Sequence, residues 1–285
     1  MSLADLETLR AAHTAWFSIA AGLVGLCVGS FLNVCAHRLP KGESVVTPGS
    51  RCACGTPIPG WLNLPLLGWL MLRGRARCCG GPISARYPLL ELAGGLSLAA
   101  AWAWLPADKA LGASVLLPLL LLLAACDLES MLVPDAPNFL LVAAGLAVSV
   151  ALPGVHGQGT TESAWPWAGS IASLGEALAG IATGTALAWW VRTLGTVWAG
   201  KEAMGEADII LCAGLGAFGG WQGALFGFFG GSVIGVLLVL PALIKARLRG
   251  ESGPAAVPFV PALALAGAIW YFRGPELVGL WLGAR

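Results

Sequence analysis

Apolar residues occur along this chain in long blocks separated by short polar breaks, a pattern set by a membrane rather than by a water-facing core. A bilayer core takes roughly 20 apolar residues per helix, with a range of about 17–25. On that length, spans are expected near 14–36, 87–105, 110–126, 136–153, 171–191, 208–220, 221–244 and 256–272. The sixth is short enough that a re-entrant or interfacial segment competes with a crossing. The one sizeable polar interval, 37–86, holds Pro40, Pro48, Pro57, Pro59, Pro65 and Pro82, which exclude long helices there. The expected fold is an all-α polytopic membrane protein of about eight transmembrane helices with one cysteine-bearing cytoplasmic loop. Residues 1–36 then form the N-terminus and first helix, 37–86 the loop, and 87–285 a membrane core.

Composition agrees with that setting. Hydrophobic residues make up 57% of the chain and charged residues only 11%, against about 25% charged in ordinary soluble domains. Mean hydropathy is +0.80. A net charge of +1 supplies no basic footprint and argues against a nucleic-acid partner. The opening segment carries Asp5 and Glu7, and no cleavage site follows the first apolar run. That run therefore reads as a retained span, not a signal peptide.

Charge asymmetry sets the orientation, because cytoplasmic loops collect Lys and Arg. With the N-terminus outside and every span crossing, 12 basic residues fall inside, from Arg38 and Lys41 through Arg86, Arg192 and Lys201 to the cluster Lys245, Arg247 and Arg249. Only Arg10, Lys109, Arg273 and Arg285, 4 in all, fall outside. If 208–220 did not cross, the last cluster would move outside, so the count favours crossing. The stretch 154–170 has no basic residue and reads as external. Glycines clustered between Gly214 and Gly235 read as close helix contacts.

Asp127, Asp135 and Asp208 all fall at inner span ends. A carboxylate at a membrane edge is costly unless it has a task or a partner. Asp127 and Asp135 would lie about 12 Å apart on an unbroken helix at 1.5 Å per residue, too far to share a proton. Asp135 precedes an apolar helix and reads as its N-cap. Asp127 instead sits at a helix C-terminus, where the backbone dipole opposes its charge. Asp208 admits two readings, an N-cap or the second member of a dyad with Asp127. If the two meet, one carboxyl keeps a proton while the other acts as base on a water, which is aspartic peptide hydrolysis.

The remaining acids say less. Glu91 and Glu176 are candidates for pairing with loop arginines. Glu129, Glu202 and Glu206 crowd the same inner face, either as a solvated surface or as a docking surface for a basic segment. His13, His37 and His156 are scattered, and neither HExxH nor GxSxG occurs, which argues against metallo- and serine-protease chemistry. His37 reads as part of a basic loop entry.

Four of the eight cysteines, Cys52, Cys54, Cys78 and Cys79, share the loop. In a reducing compartment clustered cysteines point to metal, and four thiolates can close a tetrahedral zinc site. The spacing is unusual, since adjacent Cys78 and Cys79 need a special backbone to serve one ion. Cys27, Cys35, Cys126 and Cys212 read as small apolar residues of the spans.

Several segments, taken in order, resemble the type IV prepilin peptidases of the bacterial inner membrane. GSFLNVCAHRLP at 29–40 resembles their first-span exit, and RCACG through CCGGPISARYPLLEL at 51–92 their cysteine-bearing loop. DLESMLVPD at 127–135 and KEAMGEADIILCAGLGAFGGW at 201–221 resemble their two aspartate motifs. The resemblance implies eight helices and cleavage of a basic leader from prepilins or pseudopilins, in type IV pilus assembly or protein secretion. It also implies methylation of the new N-terminus with S-adenosylmethionine, and it assigns the catalytic role to Asp127 and Asp208.

The chain departs from the family pattern at Ala207, where GxGD has its second glycine, and at Ala76, a usual cysteine position. If position 207 needs a positive φ, alanine would hinder catalysis. Two alternatives follow: a catalytically impaired assembly factor of the same fold, and a proton-coupled transporter, which would carry midplane acids and an internal repeat.

Overall fold

A computed structural model of the chain describes residues 2–158, 165–249 and 257–281. Part of the expected external loop at 154–170, and Arg285, lie outside the described residues. The chain forms two compact units, residues 1–132 and 133–285.

The first unit contains α1 (Leu3–Ala12), α2 (Thr14–Arg38), α3 (Leu67–Met71), α4 (Arg86–Trp104) and α5 (Ala107–Ser130). Its central pair is α2 and α4, which run antiparallel: Ser18 donates to the carbonyl of Ala99 at 2.8 Å and Asn33 to that of Tyr87 at 3.1 Å. Glycine permits this approach, because a Cβ on Gly25 would overlap the carbonyl of Gly94. Helix α5 packs on α2 through a cluster of Leu32, Cys35 and Ala36 against Leu122, Ala125 and Cys126. Its first turn is held by Glu7, whose Oε2 accepts the N–H of Ala107 at 2.6 Å. Between α2 and α4 the proline-rich loop holds only 3-10 turns, the five-residue α3 and two isolated β-bridges, as its prolines require.

The second unit contains α6 (Asp135–Ala151), α7 (Ala168–Ala199), α8 (Glu206–Leu248) and α9 (Val260–Trp281). Helix α8 is broken at Gly220, whose φ of 66° and ψ of −173° lie outside the helical region. On a straight helix residues 215 and 227 would be about 18 Å apart, yet a Cβ on Gly227 would stand 3.0 Å from the Leu215 side chain. The chain therefore folds back at Gly220, and the arms 206–219 and 221–248 lie side by side. The first arm also meets α7 backbone to backbone, since a Cβ on Gly180 would overlap the Gly216 carbonyl and one on Gly184 that of Cys212. Those pairings run antiparallel. Against α6 the first arm runs parallel, with Gly214 on Leu141 and Gly145 on Ala217 and Phe218. The N-termini of α6 and α8 therefore lie at one end of the unit.

Within the described residues, each expected span overlaps a helix or one arm of α8, with ends that differ by several residues. Among the described residues, Thr14–Lys41, Ala107–Ser130, Ala168–Ala199 and Glu206–Leu248 are long and apolar enough to cross a membrane, and Asp135–Ala151 is a shorter apolar helix.

Candidate active site

The two aspartate motifs are built differently in the two units. Asp208 is the third residue of α8, which begins at Glu206 with Gly205 as its N-cap. It is therefore not an N-cap residue; its Oδ2 instead reaches back to accept the Gly205 N–H at 3.1 Å. Ala207 lies inside the helix and is not among the residues with positive φ. Alanine thus fits this backbone, and the helix start asks for no positive φ at the position where the chain departs from glycine. The carbonyl of Ala207 accepts a bond from Nδ2 of Asn138 on α6 at 2.7 Å. Asp208 is 9% exposed and Asn138 fully buried. Asp135, expected as an N-cap, is the first helical residue of α6, and Pro134 is the cap; a first-turn acid still suits the helix dipole.

Asp127 lies in the last turn of α5 and is 7% exposed. Its carbonyl accepts the N–H of Met131 at 2.9 Å, where a left-handed φ of 54° ends the helix. Two residues on, Glu129 joins both ends of the loop to this turn. Its Oε1 lies 2.6 Å from Nδ1 of His37, the end of α2, and its Oε2 takes Nη2 of Arg86, the start of α4, at 2.7 Å. Arg86 also donates to the carbonyl of Ala125 at 3.0 Å. From the sequence Glu129 is expected only on a solvated face or a docking surface for a basic segment. Its partners stand 92 and 43 positions away, and no local spacing signals them.

Other acids have partners of their own. Glu91, expected to meet a loop arginine, accepts the backbone N–H of Leu66 at 2.8 Å. Arg192 donates to Glu206 at 3.1 Å and to Glu202 at 3.4 Å, but both carboxylates are about four-fifths exposed, at 80% and 79%. Exposed pairs of this kind contribute little.

The four loop cysteines converge. Two turns carry them, each closed by an antiparallel bridge, Arg51 with Pro57 and Arg75 with Pro82, and each containing a left-handed glycine, Gly55 and Gly80. Cys52 faces Cys79 with sulfurs 3.7 Å apart, and Cys54 faces Cys78 at 3.3 Å. All four sulfurs lie within 4.8 Å of one another. A tetrahedral zinc with bonds of about 2.3 Å separates its sulfurs by about 3.8 Å, so this cradle fits a metal ion. The turn at Gly80 resolves the demand placed by adjacent Cys78 and Cys79, sending each to a different partner. Bonds from the Thr56 side chain and backbone, then from Cys78 and Cys52, lower the Cys54 thiol to about 6. Cys78, bonded to Cys54 and Cys52, is pushed up to about 12.

The cluster also borders an open pocket of about 1270 Å³ in the first unit, lined by Asn33, Arg38, Trp69, Tyr87 and Glu91 among others.

Two family profiles cover most of the chain. The Bacterial Peptidase A24 N-terminal domain matches residues 23–105 and the Type IV leader peptidase family residues 114–240. The chain belongs to the type IV leader peptidase family. A prepilin leader peptidase/N-methyltransferase of Pseudomonas putida is 35% identical over 95% of this chain and 96% of its own length. That of Aeromonas hydrophila is 34% identical over 97% of each, and that of Klebsiella pneumoniae 41% identical over 70% of this chain and 84% of its own. No solved structure matches the chain. Asp127 and Asp208 both fall within the stretch matching the peptidase family, and the cysteine cradle within the N-terminal domain.

Proposed function

We propose that this chain is an aspartic endopeptidase of the bacterial inner membrane. It removes the basic leader from prepilins or pseudopilins at the cytoplasmic face and methylates the new N-terminus. The observation that carries the reading is the placement of Asp127 and Asp208, each buried at a helix end, inside the region of family match. Acting together, one carboxyl keeps a proton for the peptide carbonyl and leaving amine while the other takes a proton from the attacking water. The names of the relatives support both cleavage and methyl transfer.

Zinc held by Cys52, Cys54, Cys78 and Cys79 would brace the loop, a structural role suited to a closed four-thiolate set. The methyl donor of the reaction is S-adenosylmethionine. The pocket of the first unit offers it groups of fitting chemistry: Trp69 and Tyr87 for a purine face, Glu91 for hydroxyl or ammonium groups, and Arg38 for a carboxylate.

The test is purified protein incubated with a prepilin and S-adenosylmethionine, followed by intact mass of the products. Asp127→Asn and Asp208→Asn should each abolish cleavage while leaving methylation of an already cleaved peptide. Normal cleavage by either variant overturns the assignment.

A further inference from the structure

Asn138 is the one fully buried side-chain amide among the described residues, and its two ends are unequally served. Nδ2 donates to the carbonyl of Ala207 at 2.7 Å, whereas Oδ1 is buried with no hydrogen-bond partner. The orientation of the amide follows from chemistry, because an oxygen turned toward the Ala207 carbonyl would set two acceptors against each other. A buried acceptor without a partner costs about 1–3 kcal/mol. A leucine has nearly the same shape and would avoid that penalty, so packing alone does not account for an amide at this position.

What the amide holds is the first turn of α8. Ala207 immediately precedes Asp208, and the N-cap Gly205 has no side chain with which to fasten that turn. One fastening of that turn, Gly205 N–H to Asp208 Oδ2 at 3.1 Å, depends on the carboxylate itself. It weakens whenever that oxygen takes up a proton or turns to a water, as an aspartic mechanism requires. The bond from Asn138 does not involve the carboxylate, and it comes from a parallel helix packed against the same arm through Leu141 and Gly214.

We infer that Asn138 is a positioning residue for peptide cleavage: its side-chain amide fixes the Ala207 carbonyl and so keeps the start of α8, with Asp208, in register while the carboxyl changes protonation. The inference rests on the peptidase reading of Asp208.

The experiment uses the full-length protein in detergent with a prepilin, measuring kcat and KM for cleavage, the thermal unfolding midpoint, and methylation of an already cleaved peptide. For Asn138→Leu, kcat should fall about tenfold or more with KM changed less than about threefold, the pattern of a lost transition-state interaction. The unfolding midpoint should stay near that of the parent, because the lost bond to Ala207 and the removed unpartnered oxygen offset each other, and methylation should be unchanged. Asn138→Ala should show the same kinetic split and serves if the leucine variant does not fold. A kcat within twofold of the parent overturns the inference, as does a loss of kcat that merely tracks a loss of folded protein. Absence of cleavage by the parent protein would instead overturn the peptidase reading, so the two failures are distinguishable.

Discussion

Nδ1 of His37 lies 2.6 Å from Oε1 of Glu129, and the Nζ of Lys41 lies 2.8 Å from the other ring nitrogen, Nε2. An ammonium group only donates, so Nε2 accepts and the ring proton sits on Nδ1, directed at the carboxylate. With Arg86 on its second oxygen, Glu129 ties the exit of α2 and the entry of α4 to the last turn of α5, two residues beyond Asp127.

Removing that carboxylate leaves two donors without their anionic partner. His37 is 51% and Arg86 36% exposed, so water screens much of the loss, and Glu129→Ala should destabilise the first unit by about 1 kcal/mol. Glu129→Gln, which keeps one acceptor, should lose less. Unfolding of the detergent-solubilised protein measures both, and limited proteolysis within 37–86 should accelerate in the same order.

The loop cysteines should differ sharply in reactivity. With its thiol lowered to about 6 by Thr56 and its sulfur neighbours, Cys54 is a thiolate at neutral pH, while Cys78, pushed up to about 12, stays protonated. In metal-free protein, alkylation followed by peptide mapping should mark Cys54 well before Cys78, with the Cys54 rate falling as pH drops through about 6. The sign for stability is the same. A thiol lowered from 9.0 to about 6 on folding adds stability that is lost as pH falls through the lower value, while its raised partner Cys78 takes stability away again as pH climbs above 9.0. Zinc should protect all four thiols and release protons on binding, and equal labelling of Cys54 and Cys78 would contradict the arrangement.

The helices were legible in the sequence because a long apolar run has few other solutions in a membrane, and the fold-back at Gly220 coincides with the boundary drawn there by length and charge. Asp127 and Asp208 stood out for a similar reason, as charges at apolar edges. The caps were not legible. Asp135 and Asp208 each begin an apolar run, but which residue opens a helix depends on backbone geometry one position either way, and Pro134 and Gly205 took those places. Nor were the long-range partners: Asn138 reads as a polar residue in a first turn, and only the packing of α6 against α8 brings it to Ala207.

Glycines of α7 offer a paired test of helix contact. A Cβ on Gly180 would overlap the carbonyl of Gly216, whereas one on Gly175 meets nothing within 4 Å. Gly180→Ala should destabilise the second unit by roughly 1–3 kcal/mol, as overpacking does. Gly175→Ala should be neutral or stabilising by at most about 1 kcal/mol, from helix propensity. Thermal unfolding compares them directly, and equal effects would contradict the α7–α8 contact.

Ala207→Gly would restore the glycine of the family's GxGD pattern, and the structure sets a definite expectation for it. Because residue 207 is helical and does not use a positive φ, glycine gains no needed conformation. It adds backbone entropy to a turn whose cap, Gly205, is already a glycine, which costs about 1 kcal/mol in a helix interior and less near an end. The variant should therefore cleave no faster than the parent and unfold slightly more readily. Cleavage rates at saturating prepilin, measured beside the unfolding midpoint, decide the matter. A several-fold rise in kcat would mean that the working conformation of this segment departs from the helix, and that alanine does restrain catalysis.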